Sequence, residues 1–438
     1  MGILDEIRPE KFRVRDHCRL CGGGITKVLD LGSTPAANEF VTEEVVESGS
    51  EQDVFPLYLS ACRKCGHVQL PVVVDPRRLF SNYVYVSGTS PVFVDHFRRY
   101  AESMIERLGL VPGDLVVDIG SNDGTLLSFF KAAGMRVLGI DPAVSIAADA
   151  TARGIPTLPE FLTQELAAKV VAEHGHAKLV TANNMFAHAD NLHEIALSCS
   201  FMLAPGGVFA FEVSYLPSVV DGNLFDTIYH EHTSYHHLTP LVPFLQTEGM
   251  NVFDAELVPT HGGSIRVLAD IWGPGRPLSQ SASDILGREA AEGYTASVLT
   301  GFTSSNDYPL TNPMEKLAVN VQRLFFSLKR LLIDVRAAGK TVAGFGAPAK
   351  VTTLMHRFQL GREDIDFIVD DAPLKQGLFT PGKYVPVLPS SALYECRPDY
   401  VIILAWNFAE PIMRSHKRFS DEGGKFIVPI PQLKVYPS

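Results

Sequence analysis

Leu115-Val-Val-Asp-Ile-Gly-Ser-Asn-Asp-Gly124 opens as a short apolar run, ends on an acid and breaks into a Gly/Asn-rich turn. Such a run reads as a buried strand and Gly120 to Gly124 as a loop. Thr125 to Ala133 then reads as a helix and Arg136-Val-Leu-Gly-Ile-Asp141 as a second strand. Further strands are expected at Lys178–Ala182 and Gly207–Glu212. On the other side, Phe93, Phe97, Tyr100, Met104 and Leu108 recur at helical spacing and predict a helix over Pro91 to Leu108. This βαβα order predicts a parallel sheet with helices on both faces.

The alternation resumes after residue 300. A long amphipathic helix is expected from Pro313 to Ala338, with strands at Thr341–Gly346, Asp366–Asp370, Tyr400–Ala405 and Lys425–Pro429. These predict a second α/β domain. The first 75 residues instead hold short apolar pieces, two of them strand-like (Lys27–Leu31 and Phe55–Leu59), broken by Gly, Pro and two Cys-x-x-Cys pairs. Cys18, Cys21, Cys62 and Cys65 at this spacing suit a tetrahedral, structural zinc ion with no open position. The expected division is a zinc-binding domain over 1–75, a Rossmann-like domain of the class I methyltransferase type over 76–300, and a C-terminal Rossmann-like domain over 301–438.

Of the 438 residues 46% are hydrophobic and 20% charged, the balance of a globular protein. No run approaches the roughly 18 apolar residues of a membrane span, and Met1 to Glu6 carry no basic region ahead of an apolar one. Cys199 and Cys396 lie in apolar stretches and read as buried thiols. Together these features predict a cytoplasmic protein with no membrane partner, while the oligomeric state, monomer or small homo-oligomer, stays open. The formal charge of −11 and the scatter of Lys and Arg argue against nucleic acid as a partner.

A strand ending in Asp118 and turning through glycines into a helix is how class I methyltransferases open their S-adenosylmethionine site. Gly120 and Gly124 let backbone approach a ligand, with Asn122 in the same loop. Asp123 is placed for the methionine amino group. Asp141 ends the next strand, where a carboxylate accepts ribose hydroxyls. The loop lacks Gly-x-Gly-x-x-Gly, which favours S-adenosylmethionine over NAD. Asn183 and Asn184 follow the next strand, at the sheet edge where ligands bind.

Between the α/β halves runs Phe225-Asp-Thr-Ile-Tyr-His-Glu-His-Thr-Ser-Tyr-His-His237. Three readings fit: a metal site with His232 and His236 on one helical face, a polar segment whose imidazoles bond to backbone, or general acid–base chemistry. The chain here resembles the sugar C-methyltransferases of deoxysugar biosynthesis, which methylate C3 of nucleotide-linked 4-keto-6-deoxyhexoses. The resemblance rests on the Cys pairs, Tyr83-Val-Tyr85, the Asp118–Gly124 loop, Phe225–His232, His261-Gly-Gly263, Gly344–Lys350 and Leu404-Ala-Trp-Asn407. It implies His232 as the base, Glu231 orienting or charging its imidazole, Tyr229 beside it, Tyr83 or Tyr85 over the sugar, and S-adenosylmethionine and structural zinc as cofactors. It further implies a nucleotide-linked keto-deoxysugar held by His261, Gly346, Lys350, Asp370 and Asn407, with loop N–H groups near Gly346 on the pyrophosphate. Where the family has an acid before the Glu, this chain has His230, a departure that bears on the sugar pocket and local pKa values. O- or N-methylation, an NAD-dependent nucleotide-sugar dehydrogenase or epimerase, and a zinc-finger adaptor are the alternatives.

Overall fold

The computed structural model describes residues 11–80, 88, 91–271, 275–301 and 310–437. Its central element is a seven-stranded sheet in the order Met250–Val258, Ser264–Ile271, Leu203–Ser214, Ala177–Asn183, Leu115–Ile119, Arg136–Ile140, Thr157–Leu158. Ser264–Ile271 is antiparallel to both of its neighbours, so it alone runs against the other six. Strand order reverses between Leu115–Ile119 and Ala177–Asn183, which opens a crevice at their carboxyl ends. The strand reading from Leu115 to Gly207 holds, and the helix Pro91–Leu108 begins and ends where its spacing put it. The hairpin of Met250–Val258 and Ser264–Ile271 was not foreseen.

The C-terminal sheet is ordered Val387–Leu388, Ile368–Val369, Val342–Phe345, Tyr400–Ile403, Lys425–Val428, Lys434–Tyr436, with only the last strand antiparallel. The long helix Pro313–Ala337 buries Met314, Leu317, Val321, Leu328, Leu332 and Val335 on one stripe. This stripe joins a core shared with the N-terminal sheet, including Leu57, Leu59 and Val68. The N-terminal segment is therefore packed into the body of the molecule.

Its four-stranded sheet runs Ser234–Tyr235, Val68–Gln69, Phe55–Cys62, Ile25–Thr34. The edge strand Ser234–Tyr235 comes from the histidine segment, which is thereby fastened to the Cys-pair domain by backbone pairing. This placement overturns the shared helical face for His232 and His236, because the chain is extended there and not helical. Two further expectations are corrected. Cys199 is buried, but Cys396 is exposed just past a short helix. His230 faces away from the large crevice, its Nε2 3.1 Å from the Pro56 carbonyl and its ring 5.5 Å from that of Phe55.

Candidate functional site

The four sulfur atoms of Cys18, Cys21, Cys62 and Cys65 lie within 4.8 Å of one another. Cys18 and Cys65 are 3.6 Å apart and Cys21 and Cys62 3.5 Å. Zinc–sulfur bonds of about 2.3 Å place tetrahedral sulfurs roughly 3.8 Å apart, so these residues fit the ion. Each pair sits on a matching turn: Gly22 donates to the Cys18 carbonyl at 3.1 Å and Gly66 to the Cys62 carbonyl at 3.0 Å. Leu20 and Lys64 point backbone N–H groups at the Cys18 and Cys62 sulfurs at 3.4 and 3.3 Å, which favours thiolates. With all four positions taken by sulfur, the centre is structural.

A cavity of about 1800 Å³ lies at the carboxyl ends of both α/β sheets. One wall is the Gly120–Gly124 loop. Gly120 has φ +70°, and a Cβ there would come within 2.9 Å of Met185. Asn122, itself at φ +49°, donates its N–H to Asp141 Oδ2 at 2.8 Å, while Ala143 donates to Oδ1 at 2.9 Å. Asp141 thus fixes the loop and still presents spare lone pairs at the strand end. Asp118 is buried, accepts from the Thr181 hydroxyl at 2.6 Å, and is pushed up to about 7 by burial. Asp123 spends its carboxylate on Thr125 N and Oγ1 and on Gly88 N, so it closes the loop onto the chain before it. Asn184, at φ +55°, donates its N–H to the Glu212 carbonyl at 2.7 Å. Both amide atoms of Asn183 are buried at the cavity wall and, among the described residues, meet no partner in good hydrogen-bond geometry. The open loop and the unmatched amide fit S-adenosylmethionine.

His232 enters the cavity from the opposite side. Its Nδ1 lies 2.8 Å from the Thr227 carbonyl and its Nε2 3.1 Å from the Tyr229 hydroxyl. A carbonyl only accepts, so the proton is on Nδ1, Nε2 is the acceptor, and Tyr229 donates to it. Burial pushes the imidazole down to about 4, from an ordinary value near 6.5. The His188 ring, missed in the sequence, packs tilted against that of His232 with centres 4.9 Å apart and is likewise held neutral by burial. Glu231 does not touch the imidazole. Its Oε1 takes a hydrogen bond from Asn38 at 2.7 Å, and burial pushes its carboxyl up to about 7. The orienting partner is therefore the Thr227 carbonyl, where Glu231 was expected. Tyr83 and Tyr85 lie outside the described residues.

The third wall belongs to the C-terminal sheet. Lys350 reaches Asn407 Oδ1 at 2.6 Å, and its ammonium stands 3.9 Å from the centre of the Trp406 ring. Burial lowers it to about 8, with buried Asp226 opposing. Trp406 is pinned by its Nε1, 2.6 Å from Asp226 Oδ2. Gly346 has φ +88° and packs so closely that a Cβ would lie 2.5 Å from that of Ala405. The backbone cradle expected there is already committed. Gly346 donates to Val369, and Ala347 to Asp370 Oδ2 at 2.6 Å, while Asp370 Oδ1 accepts from Ala372. The positive charge on this wall comes from Lys350 and Lys375. His261, at φ +51°, opens to the cavity, its ring 4.8 Å from that of Phe93. Asp226 and Trp406 lie within the quoted stretches Phe225–His232 and Leu404–Asn407, but their contact is non-local; His188 and Lys375 carried no spacing signal, each being a lone residue brought in by another element.

Family models match three consecutive stretches: a zinc binding domain over 18–80, a methyltransferase domain over 93–256, and a C-methyltransferase C-terminal domain over 259–431. The C-methyltransferase NovU of Streptomyces niveus is 36% identical over 421 residues, 96% of each chain. Ubiquinone biosynthesis O-methyltransferase of Burkholderia pseudomallei (strain 1710b) is 25% identical over 171 residues, 36% of this chain and 74% of that one. Among solved structures, magnesium protoporphyrin IX methyltransferase from Synechocystis PCC 6803 with bound SAH covers 44% of this chain and 90% of its own, at 16% identity and TM-score 0.33.

Proposed function

This chain belongs to the C-methyltransferase family, and from that premise we propose that it methylates C3 of a nucleotide-linked 4-keto-6-deoxysugar with His232 as the base. One observation carries the reading. His232 offers an unprotonated Nε2 to the same cavity that the cofactor loop lines on one side and Lys350 on the other.

The C4 ketone of such a sugar acidifies the neighbouring C3–H, so a neutral imidazole suffices as base and the product of proton removal is a carbon nucleophile. The Thr227 carbonyl holds the ring in the tautomer that this step needs and steadies the imidazolium that forms. Tyr229 occupies Nε2 before substrate enters, then turns its hydroxyl to the oxygen that gains charge. When bound, S-adenosylmethionine supplies an electrophilic methyl group. Asp118, Gly120, Asn122, Asp123, Gly124, Asp141, Asn183 and Asn184 form its pocket in this reading. Lys350, with Asn407, meets the nucleotide diphosphate as a point charge. Gly346 and Asp370 shape the loop beside it, and His261 and Tyr83 or Tyr85 contact the sugar.

The test is incubation with S-adenosylmethionine and a panel of nucleotide-linked 4-keto-6-deoxysugars, read by mass spectrometry. One added methyl, with C3–H exchange in deuterated water when cofactor is withheld, is the expected result. His232→Asn should abolish both while cofactor binding persists. A methylated oxygen or nitrogen, or exchange that survives in His232→Asn, would sink the proposal.

A further inference from the structure

Arg19 lies inside the first Cys pair, yet its guanidinium also reaches beyond that domain and is wholly shielded from solvent. Nη1 donates to the Leu70 carbonyl at 2.7 Å and to the Thr233 carbonyl at 3.1 Å. Nε donates to Asp190 Oδ1 at 3.0 Å, with Nη2 2.9 Å from the same oxygen. Thr233 follows His232 directly. Asp190 stands two residues after His188, whose ring packs on that of His232. The backbone N–H of Arg19 is held as well, 2.8 Å from Gln69 Oε1, and Gln69 pairs with Ser234 in the sheet.

A buried cation of this kind is costly, and well-packed apolar residues in its place are often at least as stabilising. What the guanidinium adds is geometry, because its planar fork fixes several acceptors relative to one another. The root of the fork is rigid too. Cys18 N donates to Gly23 at 2.8 Å, and the next residues close the turn that presents the thiolates. The other end is well placed to matter, since it meets the two chain segments that bring His188 and His232 to the cavity.

We infer that Arg19 is a positioning residue, carrying the rigidity of the thiolate site into the His232 segment and the His188 loop. This rests on the role proposed for His232. The zinc site then has a task beyond stapling its own domain: it sets the angle of the base. Arg13 and Arg15 also pair with Asp190, so the carboxylate keeps ion partners when Arg19 is replaced. Thr233 likewise keeps the 2.9 Å bond from Leu70 N. Removing the Arg19 fork therefore tests the coupling without stripping either acceptor bare.

The experiment compares zinc-loaded, full-length wild type, Arg19→Met and Arg19→Lys by hydrogen–deuterium exchange and by kinetics. In Arg19→Met, peptides covering 184–190 and 227–235 should exchange about tenfold faster while 342–355 is unchanged. Zinc content should stay at one per chain. kcat should fall about tenfold, with sugar KM and cofactor Kd within about twofold. Arg19→Lys, which keeps charge without the fork, should slow the 184–190 segment back toward wild type and leave 227–235 fast. Unchanged exchange in both segments overturns the inference, as does a uniform rise across the chain, which would mark Arg19 as a stability element only. Should Arg19→Met not fold, the two segments of Arg19→Lys decide in the same way. If wild type methylates no sugar, the reading of His232 fails while the exchange data still judge Arg19.

Discussion

The Tyr229 hydroxyl donates to Nε2 of His232 at 3.1 Å, and their ring centres are 4.2 Å apart. Only two residues lie between them, so a single turn brings both the proposed base and the hydroxyl bonded to it to the cavity. Because Nδ1 is fixed on Thr227, the hydroxyl has one orientation that satisfies the pair.

Tyr229→Phe should therefore leave cofactor affinity intact and lower kcat by about tenfold or more, the scale of one positioned proton donor. The imidazole itself should be silent near neutrality. Its value of about 4 means that the active, neutral form is present above that pH and is lost only as pH falls through it. Histidine NMR, with His232 assigned by the peak missing in His232→Asn, should show no titration between pH 8 and pH 5. A midpoint near the ordinary ~6.5 would show that water reaches the ring and that the imidazole is partly protonated near neutrality.

Glu231 makes the opposite contribution to stability. Its folded value of about 7 stands above 4.5, because burial disfavours the carboxylate, while Asn38 and Lys375 only partly offset this. The stability it contributes is thus fully present below about 4.5 and is lost as pH rises through about 7. The rise corresponds to roughly 3 kcal/mol. Urea unfolding of wild type and Glu231→Gln should show the mutant gaining on wild type by about that amount between pH 5 and pH 8. Asp118 is raised in both proteins and cancels. A difference that does not change with pH would mean that Glu231 is ionised throughout.

Much of this architecture was legible because its signals are local. The helices Pro91–Leu108 and Pro313–Ala337 each begin on a proline, which pre-sets the first turn, and their apolar stripes repeat at helical spacing. The four cysteines announce their site by spacing alone. The hairpin of Met250–Val258 and Ser264–Ile271 was hidden because its turn, Thr260-His-Gly262, draws attention as a site element and its pairing to Leu203–Ser214 is non-local. The same limit applies to the cavity. Asp226 and Trp406 meet across 180 residues, and Arg19 meets Thr233 across 214. The partner of Glu231 was misread for a related reason. The resemblance placed Glu231 beside His232, but the two residues leave the turn at Tyr229 in different directions, Glu231 to Asn38 and His232 to the Thr227 carbonyl.

Gly120 tests the cofactor wall. Alanine there would have to keep φ near +70°, which costs about 1 kcal/mol, and its methyl would fall within 2.9 Å of Met185 Cβ and Cγ. Relief requires the loop to move off Met185, and the loop carries the N–H of Asn122 that Asp141 holds. Calorimetry should show S-adenosylmethionine binding weakened by about tenfold in Gly120→Ala, with zinc content unchanged. Wild-type affinity would mean that the ligand does not approach this backbone.

Lys350 offers a pH test of the nucleotide wall. Its ammonium lies against Trp406 and Asn407 and is depressed to about 8 by burial, so its charge is present below about pH 8 and is lost above it. A diphosphate keeps its negative charge over that range, so attraction should fade as the lysine loses its proton. KM for the nucleotide sugar should be level from pH 6.5 to about 7.5 and climb above about pH 8, while Kd for S-adenosylmethionine stays flat. Lys350→Arg should remove the climb, because guanidinium remains charged, at the cost of a higher KM throughout from the poorer fit beside Trp406. Lys350→Met should raise KM about tenfold at pH 7 and leave it insensitive to pH. A climb that persists in both variants would place the titrating group elsewhere and take the diphosphate away from this wall.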